Sequence, residues 1–253
     1  MKSFLKKHRK RLIIDFVIVA IVALMFIDSS CRIVKSEYEL NSPRLPDSFE
    51  GYTVVQLSDL HGRVLGADSR RLVEKTAGEA PDLIVITGDL VDEHTGSFEK
   101  TESLLAQLGE IAPVYYVSGN HEWWAGSLPE LKSVFERTGV TYLQNDYVMI
   151  ERQNESIALI GAEDPNGPYD MPKPPELVER VETEQGDCFR ILLGHRNYWR
   201  DKYPSLEVDL LFCGHAHGGI VRLPFVGIGF SVTEQFIFTY LPPFSTYVGP
   251  LYL

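Results

Sequence analysis

The stretch DLIVITGD, residues 82–89, is an uninterrupted apolar run rich in β-branched side chains, and it ends in a glycine and an aspartate. Continuous rather than alternating apolarity is typical of a strand that is buried on both faces of a parallel sheet. Five other runs have the same character, at residues 52–59, 114–120, 156–164, 189–195 and 208–215. Helix-like segments lie between the runs, at residues 68–80, 98–110, 127–138 and 174–185. This alternation predicts an α/β domain built in layers around a largely buried sheet.

Length and charge limit what such a domain can do. The chain has 253 residues, 44% of them hydrophobic, which suits one α/β domain or at most two small ones. Its net charge is −11, but residues 1–11 hold six of the 24 Lys and Arg and none of the 35 Asp and Glu. The rest of the chain therefore carries 18 basic against 35 acidic side chains, a balance of −17. Because such an acidic body is a poor match for phosphate neutralisation, no nucleic-acid partner is expected.

The N-terminus combines a basic head with an apolar run, Leu12–Ile27, that only Asp15 interrupts. As a helix this run would span roughly 24 Å, close to the ~30 Å hydrocarbon core of a bilayer. We predict a basic head and transmembrane anchor over residues 1–30, a tether over 31–49 and the α/β domain over 50–253. The basic head predicts a single-pass membrane protein whose catalytic domain is extracytoplasmic. The alternative is a cleaved signal peptide, although no clean cleavage site follows.

Polar residues with metal-binding side chains follow almost every apolar run. They are Asp59, His61, Asp89, Asp92, Asn120, His121, His195, His215 and His217. In open α/β sheets, ligands collect beyond the carboxyl ends of the strands, so these side chains are expected to meet there. Asp, Asn and His without cysteine suit Mn²⁺, iron or Zn²⁺, and there are too many ligands for one ion. The pattern predicts two divalent ions that share one carboxylate, with Asp89 the natural bridge and a phosphate as their target.

The blocks DLH, GDLVD, GNHE, GH and GHAH occur in this order between residues 59 and 217. The chain thereby resembles the calcineurin-like metallophosphoesterase superfamily, and with its apolar N-terminus it resembles small membrane-anchored bacterial members. The resemblance implies a four-layer αββα sandwich and metal-dependent hydrolysis of a phosphoester.

The resemblance also implies a role for each motif residue. One ion would take Asp59, His61, Asp89 and His217, and the other would take Asp89, Asn120, His195 and His215. His121 would face the phosphate as a catalytic residue rather than a ligand, with Asp92 orienting it. Arg196 and Arg222 could meet a substrate phosphate, or serve in structural salt bridges instead.

The expected function is therefore a dinuclear phosphoester hydrolase acting on a phosphomonoester, phosphodiester or pyrophosphate, with a lipid- or envelope-linked substrate among the candidates. The alternative is a catalytically inactive metal-binding or scaffold protein that retains the fold. Similar proteins continue after RLPF, residues 222–225, with strands that complete the sheet. The short ending TEQFIFTYLPPFSTYVGPLYL predicts a truncated or frame-altered C-terminus, which would weaken stability and activity.

Overall fold

A computed structural model describes the backbone of residues 2–31, 33, 35–63 and 67–217 and of four short strands further on. Side chains are described over residues 9–23, 33, 35–63 and 68–217. The chain divides just before Lys35 into two compact units, a helical one and a larger α/β one. Apart from residues 238–239 and 247–248, the ending that the predicted C-terminal truncation concerns lies outside the described residues.

The helical unit is a single helix, α1 (Lys2–Cys31). Its large apolar side chains between Leu12 and Val22 are exposed, with Phe16 at 73% and Leu12 at 67%. Within the described residues, no helix has both the length and the apolar character that crossing a bilayer demands.

Two sheets form the centre of the α/β unit. The first has the order β1-β2-β3-β4 and is parallel throughout, with strands β1 (Val54–Leu57), β2 (Leu83–Thr87), β3 (Val114–Val117) and β4 (Thr141–Tyr142). The second has the order β12-β8-β7-β6-β5, with strands β5 (Asp146–Arg152), β6 (Glu155–Gly161), β7 (Phe189–Leu193), β8 (Leu210–Phe212) and β12 (Tyr247–Val248). Only the β5–β6 pair of the second sheet is antiparallel. A small antiparallel sheet joins β9 (Val221–Arg222), β10 (Ile228–Phe230) and β11 (Phe238–Thr239).

The helices of this unit connect strands. They are α2 (Arg70–Ala77), α3 (Glu99–Gly109), α4 (Asn120–Ala125), α5 (Leu128–Thr138), α6 (Pro174–Gln185) and α7 (Trp199–Lys202). Each of the six predicted runs contains or overlaps a strand, and each of the four predicted helices is present, so these predictions are confirmed.

The two large sheets pack face to face. Val85 and Val117 of the first sheet share a buried cluster with Leu159, Leu193 and Phe212 of the second. These side chains alternate along their strands with others that point outward, as the two-residue period of a strand requires.

Helices cover both outer faces. Leu177 and Val181 of α6 and Trp199 of α7 pack against the outer face of the second sheet. Helices α3 and α5, with Leu108 and Leu131 fully buried, lie beside β3 and β4 of the first sheet. The order of layers is therefore helix, sheet, sheet, helix, as the resemblance implied.

Residues 35–49, which belong to the predicted tether, pack along the domain. The Lys35 ammonium lies 2.8 Å from a Glu79 carboxylate oxygen. Arg44 donates from Nε to Asp209 at 2.7 Å and from one terminal nitrogen to Asp187 at 2.8 Å. These three acids precede β2, β7 and β8. This segment therefore lies at the amino ends of the strands, whereas the predicted ligands follow the carboxyl ends.

Candidate metal centre

The structure brings the predicted ligands together at the carboxyl ends of five strands. They come from both sheets: Asp59 and His61 after β1, Asp89 after β2, Asn120 after β3, His195 after β7, and His215 and His217 after β8. Because the sheets pack face to face, the loops after their carboxyl ends meet over one edge of the sandwich.

A first group contains Asp59, His61, Asp89 and His217, whose ligand atoms all lie within 4.8 Å of one another. The Nε2 atoms of His61 and His217 are 3.3 Å apart, and Nε2 of His217 is 3.4 Å from Oδ1 of Asp59. Ligands bonded at 2.0–2.1 Å to a tetrahedral ion are separated by roughly 3.3 Å. The spacing of this group therefore fits a single bound cation.

A second group contains Asp89, His195 and His215. Nε2 of His195 lies 3.1 Å from Oδ2 of Asp89 and 3.2 Å from Nδ1 of His215. Asp89 thus belongs to both groups, as a carboxylate shared by two ions must.

Two buried oxygen atoms of the site are available to a cation. Asp89 and Asn120 are each 1% exposed, and neither Oδ2 of Asp89 nor Oδ1 of Asn120 has a hydrogen-bond partner among the described residues. His195 lies near Oδ2 of Asp89 without making a proper hydrogen bond to it. A buried acceptor without a donor costs about 1–3 kcal/mol, which a cation would offset. The residues present therefore fit the metal pair that the fold family implies.

The backbone of the site is strained at its ligands. The φ angles are 56° at Asp59, 48° at His61, 49° at Asp89, 69° at His215 and 49° at His217. These five are among eleven non-glycine residues with positive φ in the described chain. Left-handed backbone costs roughly 1–2 kcal/mol per residue outside glycine, and such strain clusters at functional sites.

Hydrogen bonds and charge fix the histidines of the second group. Nδ1 of His195 lies 2.8 Å from the Thr87 carbonyl oxygen and donates to it, which turns Nε2 toward Asp89. Burial lowers the pKa of His195, but the Asp89 carboxylate outweighs burial and raises the pKa to about 9. Burial, and then His195 and Arg196, lower the pKa of His215 to about 3. His215 therefore keeps an unprotonated nitrogen at neutral pH, which metal ligation requires.

His121 contacts Glu93, whereas the resemblance implied that Asp92 would orient it. The Asp92 carboxylate accepts hydrogen bonds from the Thr95 hydroxyl and the His94 N–H, and it lies 4.0 Å from Nδ1 of His61. Glu93 instead places Oε2 2.9 Å from Nδ1 of His121. Asp92 is held by its own turn, while the longer Glu93 side chain reaches the imidazole. Nε2 of His121 faces the site, 4.0 Å from Oδ2 of Asp89.

Glu122 braces the loops that carry the ligands, a role the sequence did not assign. Its buried carboxylate accepts backbone hydrogen bonds from Asp89 at 3.0 Å, Val91 at 3.0 Å and Gly119 at 2.7 Å. Burial, and then the charge of Asp89, raise the pKa of Glu122 to about 7. The acid that follows Asn120 and His121 in the GNHE block was the available signal, whereas nothing in the sequence distinguished Glu93.

Arg196 forms the structural salt bridge that was one of its two predicted roles. Its guanidinium binds both carboxylate oxygens of Asp164, at 2.6 Å and 3.2 Å. The side chain of Arg222 lies outside the described residues.

The comparisons with known proteins agree with the family that the motifs resemble. The calcineurin-like phosphoesterase family matches residues 52–219. An uncharacterized metallophosphoesterase from Aquifex aeolicus is 30% identical over 198 residues, 76% of this chain and 71% of that protein. "Phosphodiesterase YaeI" from Escherichia coli is 28% identical, covering 62% of this chain and 56% of that protein.

A further relative from Danio rerio, "Transmembrane protein with metallophosphoesterase domain", is 25% identical and covers 83% of this chain and 50% of that protein. The chain thus spans about half the length of the last two relatives. The family match covers most of the α/β unit and every candidate ligand. This chain therefore belongs to the calcineurin-like phosphoesterase family, as a metal-dependent phosphoesterase.

Proposed function

We propose that the chain is a dinuclear phosphoester hydrolase in which Asp89 holds two divalent ions together. The observation that carries the proposal is the shared carboxylate. Asp89 belongs to both ligand groups, and its buried Oδ2 has no hydrogen-bond partner among the described residues. Asp59, His61 and His217 would complete the first ligand set. Asn120, His195 and His215 would complete the second.

The ions, with Mn²⁺, iron and Zn²⁺ the candidates, would supply Lewis-acid stabilisation of the phosphoryl group and an activated water. The chain's own residues hold the rest of the site in place. Thr87 orients His195, and the Asp59 carboxylate accepts the backbone N–H of His215 at 3.0 Å. Glu122 fixes the loops after β2 and β3 through its three backbone hydrogen bonds.

His121 is placed to act on the substrate rather than on an ion. Its Nδ1 bonds Glu93, so the Nε2 edge faces the two ligand groups. Its ring packs edge-on against His61, with 4.7 Å between the ring centroids. We propose that Nε2 of His121 donates a proton to the leaving oxygen of the ester.

The direct test is metal-dependent release of p-nitrophenol from p-nitrophenyl phosphate and bis-p-nitrophenyl phosphate, with Mn²⁺, Fe²⁺ and Zn²⁺ assayed separately. The diester is included because one relative is named a phosphodiesterase. We expect turnover that a chelator abolishes and that Asp89→Asn lowers to background. Asp201→Asn, the same change at an exposed position, should retain full activity.

The same experiment separates the hydrolase from a non-catalytic scaffold. A scaffold would bind two ions and lose them in Asp89→Asn, yet release no nitrophenol under any of the three metals. That result would refute the proposed activity and leave the metal site intact.

We propose further that α1 attaches the domain to a membrane, with the domain outside the cytoplasm. Its exposed apolar side chains between Leu12 and Val22 and the basic head support this proposal, as does the relative named a transmembrane protein. Membrane fractionation would test attachment, and protease added to intact cells would test sidedness. Full recovery in the soluble fraction would overturn the proposal.

A further inference from the structure

Arg196 forms a hydrogen bond with a nitrogen of His215, which is a predicted metal ligand. Its terminal NH1 lies 2.7 Å from Nε2 of His215. The opposite edge of the guanidinium is held by Asp164, which is fully buried. Because arginine is a donor only, Nε2 of His215 must accept this hydrogen bond.

The position of the proton on His215 follows from this contact. A neutral imidazole has one N–H and one lone pair, so His215 carries its proton on Nδ1. Nδ1 lies 3.2 Å from Nε2 of His195, on the side of the Asp89 carboxylate. One nitrogen of His215 thus accepts a hydrogen bond from Arg196, and the other lies next to a nitrogen of His195.

This arrangement opposes an ion at His215, whichever nitrogen would bind it. An ion on Nε2 needs the lone pair that Arg196 uses. An ion on Nδ1 shifts the proton to Nε2, where it would oppose the Arg196 donor. The positive charge of Arg196 would also repel the cation.

We propose that Arg196 competes with the second metal ion for His215, and that loading of this ion releases NH1 to bind a phosphoryl oxygen of the substrate. The proposal rests on the proposed function and assigns Arg196 a substrate-binding role within it. Asp164 keeps the released guanidinium beside the site. Occupancy of the second ion would then be coupled to recognition of the phosphate.

The test is Arg196→Lys in the full-length protein. Lysine keeps a positive charge for Asp164, but its single ammonium cannot bind Asp164 and reach His215 at once. Arg137→Lys is the matched control, because Arg137 binds Glu102 through two bonds at the surface, each 2.7 Å, and contacts no ligand.

Two titrations by calorimetry give the readout. With Mn²⁺, we expect Arg196→Lys to tighten binding of the weaker of two ions roughly tenfold and to leave the tighter ion unchanged. With inorganic phosphate on the metal-loaded protein, we expect roughly tenfold weaker binding. The Arg137 variant should match wild type in both titrations.

The outcomes separate the inference from the proposed function. If wild type binds two ions and turns over ester, but Arg196→Lys leaves both isotherms unchanged, the inference is overturned and the hydrolase stands. Weaker binding of the second ion in this variant would also overturn it. If wild type binds fewer than two ions, the proposed function and the inference fail together.

Discussion

Gly119→Ala tests how tightly the bridging carboxylate is held. The backbone at Gly119 is extended, with φ −105° and ψ −171°, so alanine suffers no backbone strain there. A Cβ at this position would lie 2.5 Å from the Asp89 nitrogen and 2.9 Å from its Cγ, with Oδ1 closer still. Real Cβ atoms essentially never approach below 3.0 Å, so the two loops must separate by at least the difference between 3.0 and 2.5 Å.

A shift of that size should affect stability and metal binding together. Asp89 cannot move freely, because its N–H bonds buried Glu122 at 3.0 Å. Overpacking of this kind costs about 1–3 kcal/mol, which lowers the melting temperature of a domain this size by roughly 2–12 °C. Functional sites tolerate displacements of only about 0.5 Å, so we expect at least tenfold weaker metal binding.

Thermal unfolding and Mn²⁺ titration of the full-length protein measure both effects. Gly96→Ala is the matched control, because a Cβ there meets nothing within 4 Å. If Gly119→Ala melts and binds Mn²⁺ like the Gly96 variant, the close packing of the loops after β2 and β3 is not what positions Asp89.

Two further predictions concern acidic side chains. Glu93→Gln should lower kcat roughly tenfold for esters with poor leaving groups and much less for p-nitrophenyl esters, because Glu93 orients His121. An equal loss of kcat for both ester classes would argue against this role. The control variant Asp92→Asn should not show this difference between the two ester classes. Burial raises the pKa of the Glu163 carboxyl above 4.5, so the folded state binds this proton more tightly than the unfolded chain. Protonated Glu163 therefore contributes to stability below pH 4.5, and this contribution is lost as the pH rises through the pKa of the folded state. Between about pH 5 and about pH 8, the free energy of unfolding in urea should therefore fall less for Glu163→Gln than for wild type.

The sequence was sufficient for the central strands and the ligands because both follow from local rules. A run such as residues 82–89, which is apolar on both faces, must be covered on both faces by helices or sheets. The structure places this run as β2 in the middle of the sandwich. Metal-binding side chains that follow such runs are gathered by topology, so Asp89 and His195 could be placed together although 106 positions separate them.

What the sequence did not predict depends on contacts without a periodic pattern. Strand β5 (Asp146–Arg152) is mostly half-exposed at a sheet edge, and its apolar run, YVMI, is short and is followed by the charged Glu151 and Arg152. The partner of His121 depends on which carboxylate the turn after β2 leaves free, and the turn engages Asp92 with Thr95. Hydrogen bonds in three dimensions decide such contacts. A sequence pattern does not distinguish an acid from the acid next to it.

Electron paramagnetic resonance of the Mn²⁺-loaded protein, with the bound metal counted on the same sample, addresses the shared carboxylate most directly. Two ions held by Asp89 should give two Mn²⁺ per chain and the spectrum of an exchange-coupled pair, and Asp89→Asn should abolish the coupling. Two uncoupled Mn²⁺ ions, or a single ion per wild-type chain, would contradict a bridging Asp89 and the hydrolase built on it.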